Sequence, residues 1–388
     1  MRFIKKRHQF PVDSILKYYL QIFFSFTILF IALTSSGCTR LYFGPNNVPK
    51  FSTTQPNELG PIVSVWEDGL RTSGDRNEFE WWYLDAKLDD GSVLVTYFWK
   101  VHFIGDQYFI GFNYSKPGQE DIFKIKYFKS KDVTFLEDSC DVRFGENFII
   151  GNLEKYKIRI EPNDFDGLGF DVILESQSMP YRPQDGVIKA GNDFFAWLAA
   201  VPKGSFKGHF FENGNTIKIQ GAGYHDHNWG NTPLQKLFKS WLWFRGEAGP
   251  YTVIASELNT LDHRGGYDIP ILYIAQDRNV IVNRFGQDGL FTKKSELIEN
   301  VYRKKNEPLF SNLELLTTDG FLVNIKGKKI IDNTLLFDRA KTPIPLSKIM
   351  NTFNIDPHYT RFQSDLSIRD SLGNTFDGYG VLELMDLK

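Results

Sequence analysis

The densest cluster of chemically capable side chains lies at residues 221–231 (GAGYHDHNWGN). If the segment continues a strand from Thr216, alternation puts His225, His227 and Trp229 on one face and Tyr224, Asp226 and Asn228 on the other. A His-x-His pair can chelate a metal, but a zinc site needs at least a third protein ligand. His102, His209, His263 and Glu80 stand at no local spacing that would supply one, so neither a metal nor a cofactor is expected. Acid–base chemistry suits the cluster better, because burial beside Trp tunes the proton affinity of a His or an Asp. The same residues equally suit a polar network that fixes the end of a buried strand, with Gly230 making the turn.

A second cluster, residues 77–85 (NEFEWWYLD), places Glu80, Trp82 and Leu84 on one strand face and Trp81, Tyr83 and Asp85 on the other. Glu80, Trp81, Trp82 and Tyr83 can line an apolar cavity that contains a carboxyl group, or they can simply be core. Residues 193–208 (DFFAWLAAVPKGSFKG) alternate Phe195 with Trp197 and close at Pro202 and Gly204, which reads mainly as architecture with Trp197 as a further lining residue. Strict alternation sets Asp226 opposite His227. An acid–base pair on one face therefore requires a bulge, or a different acid such as Glu80 or Glu257. The chain has no G-x-S-x-G, no G-x-x-x-x-G-K-[ST] and no G-x-G-x-x-G.

These side chains need a scaffold, and the composition says which kind. Of 388 residues, 15% are aromatic, with 35 Phe, and there are only 4 Met. From Glu80 onward, short aromatic and β-branched runs alternate with turn chemistry, and Asp89-Asp90-Gly91 between two such runs is a hairpin signal. The pattern predicts an all-β chain of antiparallel barrels or sandwiches. Helices are expected only over residues 292–303 and 345–351. A polar break at residues 231–239 divides the strands into two domains, 61–235 and 236–388. The formal net charge is −2, so no nucleic-acid partner is expected.

Residues 1–37 have a basic start, then an uncharged apolar run, then Ser35-Ser36-Gly37 ahead of Cys38. This is the layout of an export signal. It resembles a bacterial lipobox, which implies cleavage before Cys38 and lipid on its sulfur. Residues 38–60 read as a tether. The expected location is the bacterial cell envelope, anchored to a membrane and facing the periplasm or the exterior. With Cys38 lipidated, Cys140 has no partner for a disulfide.

Four motifs occur in order: Glu80-Trp81-Trp82-Tyr83, Ala200-Val201-Pro202 with Gly208, residues 224–230, and residues 378–384 (GYGVLEL). Together they resemble the CrtC/AttH-like family of tandem lipocalin-like proteins, which includes hydroxyneurosporene synthase, an acyclic carotenoid 1,2-hydratase. The resemblance implies two tandem lipocalin-like β-barrels, each able to hold an elongated apolar ligand. It also implies catalytic roles for His227 and Trp229. The family's second, Tyr-x-Asp pair has no counterpart at matching spacing.

Three functions follow as expectations. The first is an anchored protein binding a lipid or isoprenoid. The second is a hydro-lyase using Asp226 as acid, Trp229 as cation-stabilising face and His227 as base, with His225 and Tyr224 beside them. The third is a structural envelope component serving a transporter. Near the C-terminus, Glu383 is expected to form a salt bridge or to close the second barrel. Gly378 and Gly380 are expected to mark a bulge or close strand approach, and Arg361, Asp365 and Arg369 a solvated face.

Overall fold

The structure, a computed structural model, describes residues 62–102, 105–183, 187–298, 309–335 and 357–387. The signal, Cys38 and the helix expected at 345–351 lie outside these residues. Among the described residues there is no α-helix, and two antiparallel sheets account for the fold.

The first sheet is built from β1 (Phe79–Leu88), β2 (Val93–His102), β3 (Asp106–Ser115), β4 (Ile122–Phe128), β5 (Val133–Phe135), β6 (Cys140–Phe144), β7 (Asn147–Gly151), β8 (Lys155–Ile160), β9 (Leu168–Ser176), β10 (Val187–Ala190), β11 (Asp193–Glu212) and β12 (Asn215–Gly230). Its order is β4-β3-β2-β1-β12-β11-β9-β8-β7-β6-β5, with β10 added on β11, so the sheet curls into a nearly closed barrel. The second sheet uses β13 (Phe238–Ala248), β14 (Tyr251–Thr260), β15 (Asp268–Gln276), β16 (Asn279–Phe285), β17 (Leu290–Ile298), β18 (Leu309–Thr317), β19 (Leu322–Leu335), β20 (His358–Arg369) and β21 (Thr375–Asp386). Its order is β16-β15-β14-β13-β21-β20-β19-β18-β17. The expected all-β pair of lipocalin-like barrels is what the chain forms.

Local chemistry explains the key joints. Gly91 adopts φ +84° in the β1–β2 turn, where the Asp90 side chain accepts from Ser92 N at 2.9 Å. The helix expected at 292–303 is instead strand β17 as far as Ile298. Pairing with β18 from Leu290↔Thr317 to Ile298↔Leu309 makes this segment a strand. β11 is long enough to serve two partners, pairing β12 along its length and β9 over its second half, and it bends at register shifts between Leu198 and Gly204.

Three apolar clusters follow from strand alternation. Trp82, Phe98, Phe112, Phe144, Phe170 and Phe206 fill the first barrel. Leu242, Phe244, Leu272, Ile274 and Phe362 fill the second. A third cluster lies between the barrels. Phe79, Trp197 and Tyr224 meet Phe238, Ile271 and Tyr273 there, and Trp81, Tyr83, Trp241 and Trp243 are half-buried at its edge. Side chains occupy the middle of both barrels, so the aromatic seam is a compartment distinct from either interior.

Candidate functional site

The site is organised by one strand with two faces. β12 runs against β1 without a bulge, from Phe79↔Gly230 to Leu88↔Gly221. Trp82 therefore lies opposite His227, Leu84 opposite His225 and Glu80 opposite Trp229, all turned into the first barrel. Tyr83 lies opposite Asp226, Trp81 opposite Asn228 and Asp85 opposite Tyr224, all turned toward the seam. A trio of Asp226, His227 and Trp229 is therefore not assembled. Alternation holds, and the acid beside His227 is Glu80.

Inside the first barrel, His227 Nε2 lies 2.8 Å from Glu80 Oε1, and both side chains are fully buried. Glu80 also accepts from Arg71 N at 2.7 Å, from Thr72 N at 3.1 Å and from the Thr72 hydroxyl at 2.5 Å. The His227 ring packs against two indoles, with Trp82 stacked at 4.5 Å and Trp229 tilted at 4.7 Å. The short 3₁₀ turn Val65–Asp68 plugs this interior. Trp82 Nε1 donates to Asp68 O at 2.9 Å, and His227 Nδ1 lies 3.2 Å from Glu67 O. Glu67 is itself held by Arg182 at 2.6 Å, with the two side chains 1% and 2% exposed.

His225 completes the network. Its Nδ1 faces Tyr83 O at 2.7 Å, so that nitrogen must donate, while Nε2 faces Asp68 Oδ2 at 3.2 Å. Burial alone would raise the Asp68 pKa and lower that of His225. Their mutual charge and hydrogen bond outweigh burial, leaving the carboxyl below its usual range and the imidazole above its own. The Tyr156 hydroxyl donates to the same Asp68 oxygen at 2.5 Å. Asp68 and Glu67 were not singled out from the sequence. The readable signal is the Ser64-x-x-Glu67 capping box, in which Ser64 N donates to Glu67 Oε1 at 2.8 Å.

On the seam face, Asp226 Oδ2 accepts from the Tyr224 hydroxyl at 2.8 Å and from Trp197 Nε1 at 3.1 Å, and Oδ1 accepts from Asn228 Nδ2 at 2.8 Å. Burial among aromatic rings pushes this carboxyl up to about 7, against the pull of those three donors. The second barrel supplies Arg245, whose guanidinium lies 4.9 Å above the Tyr224 ring and donates to Asp85 Oδ1 at 2.5 Å. Burial raises the Asp85 pKa, with Arg245 opposing it. Trp243 meets Tyr224 edge-on at 5.4 Å.

Arg361 departs from the expected solvated face. It is half-buried and bonds Glu383 at 2.6 Å, while Asp365 and Arg369 are exposed as expected. Register explains the difference, because Arg361 lies opposite Glu383 and Glu383 opposite Trp243, on the seam side of the sheet. Glu257 lies elsewhere, inside the second barrel, where it pairs with Lys294 and accepts from Thr292 Oγ1 at 2.7 Å. Its partner Lys294 lines a cavity of about 320 Å³ together with Trp241, Asn259 and Thr360. Another cavity, of about 360 Å³, ends on Trp229 between Val187, Lys189 and Phe194.

The seam is thus where a carboxyl that can carry a proton meets aromatic faces and solvent-reaching ion pairs. The barrel interior is a hydrogen-bonded lock.

Comparisons with known proteins agree with this architecture. The Diels-Alderase-like family matches residues 164–283, from the end of the first barrel into the second. A hydroxyneurosporene dehydrogenase of Chlorobaculum tepidum is 26% identical over 226 residues, 47% of this chain and 58% of that one. The chain thus covers less than two thirds of that curated relative's length. An AttH protein from Nitrosomonas europaea superposes with a TM-score of 0.57 at 14% identity, covering 86% of this chain and 100% of that one. Kievitone hydratase from Nectria haematococca superposes at 0.52 and 14% identity, covering 87% and 97%. At such identities the two structures speak to the fold. Together with the relative, they support a CrtC/AttH-like, tandem lipocalin-like family likeness for this chain.

Proposed function

We propose that this chain is an envelope-anchored protein that binds an elongated apolar ligand, a lipid or isoprenoid, along the aromatic seam between its two barrels. The observation that carries this reading is the seam itself. Trp81, Tyr83, Trp241 and Trp243 stay half-buried at its edge while the barrel interiors are filled by side chains. Lipid on Cys38 would hold the chain at the membrane from which such a ligand comes. Extraction of the purified full chain, expressed with its own N-terminal segment, should yield an apolar molecule by mass spectrometry. Trp243→Ala should lose it without unfolding, and Cys38→Ser should leave the membrane fraction. A folded wild-type chain that carries nothing apolar refutes the reading.

A second reading, hydration of an acyclic isoprenoid double bond, is favoured by Asp226 and by the resemblance of the ordered motifs to a family that includes a carotenoid hydratase. Asp226 would give its proton to the alkene, and the rings of Trp197, Tyr224 and Trp243 would face the resulting carbocation. Water would then add, losing a proton to the Asp85 carboxylate. Net addition of one water follows. His227 and Trp229 take no part in this scheme, because they face the other way. Conversion of a bound polyene to a product heavier by one water, absent in Asp226→Asn, supports it. Recovery of the polyene unchanged from the wild type refutes it.

A further inference from the structure

We infer that the interior of the first barrel contains a transition-metal site, zinc by its donor set, formed by Asp68, Cys140 and His225. The three come from separate elements: the plug turn, the first residue of β6, and β12. Their ligand atoms all lie within 4.8 Å of one another, and all three residues are buried. Mixed carboxylate, thiolate and imidazole donors suit zinc and its cobalt substitute.

Each donor is prepared in a way its bare presence would not require. His225 Nδ1 donates to the Tyr83 carbonyl at 2.7 Å, which aims the Nε2 position into the cluster, as an outer partner does for a ligating histidine. Tyr156 fixes one oxygen of Asp68 at 2.5 Å. The other oxygen, Oδ1, is buried with no hydrogen bond and has His227 Nδ1 at 3.6 Å as an ion-pair neighbour. Cys140 Sγ has a long 3.7 Å contact with the Ile149 carbonyl. Tetrahedral zinc, with bonds of about 2.0–2.3 Å, sets its ligand atoms about 3.3–3.8 Å apart, so closing this cluster takes shifts on the order of 1 Å. His225 Nε2 already lies 3.2 Å from Asp68 Oδ2, the oxygen that Tyr156 fixes.

A dication with a carboxylate, a thiolate and a neutral imidazole sums to zero, which leaves the apolar interior neutral. The bound ion would clamp the plug turn to β6 and β12.

The test uses the full chain, first by elemental mass spectrometry as purified, then after unfolding with a chelator and refolding with cobalt(II). The expected results are one metal per chain and a sulfur-to-cobalt charge-transfer band. Cys140→Ser and the core-compatible Cys140→Val should both lose the band, while Cys38→Ser, which removes the other cysteine, should keep it. Circular dichroism of each variant reports folding. A wild-type chain that refolds with neither stoichiometric metal nor the band overturns the inference. So does a band that survives in a folded Cys140 variant.

Discussion

Arg182→Met tests whether the plug turn is held by charge. Arg182 and Glu67 form an ion pair at 2.6 Å with side chains 2% and 1% exposed, and Arg182 also donates to Ile62 O at 3.3 Å. Removing one member of so buried a pair strands the other charge, a loss of about 3–5 kcal/mol. For a barrel of this size each kcal/mol moves the midpoint by about 2–4 °C, so Tm should fall by roughly 6–20 °C. Glu67→Gln/Arg182→Met removes both charges and should recover most of that loss, because the cost lies in the uncompensated carboxylate rather than in a missing attraction. Calorimetry of wild type, both single variants and the double variant gives the full cycle. A single variant within about 1 kcal/mol of wild type would refute the argument, since surface pairs are worth about that much. A double variant as unstable as the sum of the singles would refute it equally.

Three further outcomes are expected. Asp226→Asn should keep the fold, because its amide oxygen can still accept from Tyr224 and Trp197 while the Asn228 amide flips, at a cost of about 1 kcal/mol; any hydration should fall at least about 100-fold with ligand retained. Arg245→Met should cost about 1–3 kcal/mol, discounted because the Arg245 and Asp85 side chains are 20% and 11% exposed. Its deficit should also grow with pH. The folded Asp85 pKa already lies above its unfolded value and rises further without Arg245. The folded state then holds the proton more tightly, and stability is lost as pH climbs through the shifted value. Melting at about pH 4.5 and about pH 8 should show the larger deficit at the higher pH. Gly378→Val should destabilise by at least about 1–3 kcal/mol in a chemical melt, since a Cβ there would sit 1.8 Å from Glu247 O.

Much of the fold was legible because alternation is a local property. The aromatic runs, the Asp89-Asp90-Gly91 turn and the two-faced reading of residues 77–85 and 221–231 need only the strand period of two. The misreadings needed partners. Residues 292–298 carry Lys293, Lys294 and Glu296, which suit a helix surface; only pairing with β18 turns Lys294 toward the buried Glu257. Arg361 looks solvated until its strand is set beside β21, which puts Glu383 against it. The site was half legible for the same reason. The residues of β1 and β12 were visible, but Asp68, Arg182 and Arg245 reach them from turns and strands far away in sequence.

The motif Tyr224–Gly230 therefore answers to two demands at once. One face locks a turn inside a barrel, and its histidines are matched by Glu80 and Asp68. The other presents Asp226 and Tyr224 to the neighbouring barrel, matched by Trp197 and Arg245. The faces share a backbone but no side-chain hydrogen bond, so substitutions on them should separate. Changes at His225 should act on stability and on metal content, changes at His227 on stability, and changes at Asp226 or Tyr224 on ligand and chemistry. A hydratase built on His227 and Trp229 would break that separation. If His227→Ala removed turnover while leaving the melt unchanged, the chemistry would belong inside the barrel, entered past Trp229 from the cavity beside Phe194. If it lowered the melt and spared turnover, the seam would be the working face of this strand.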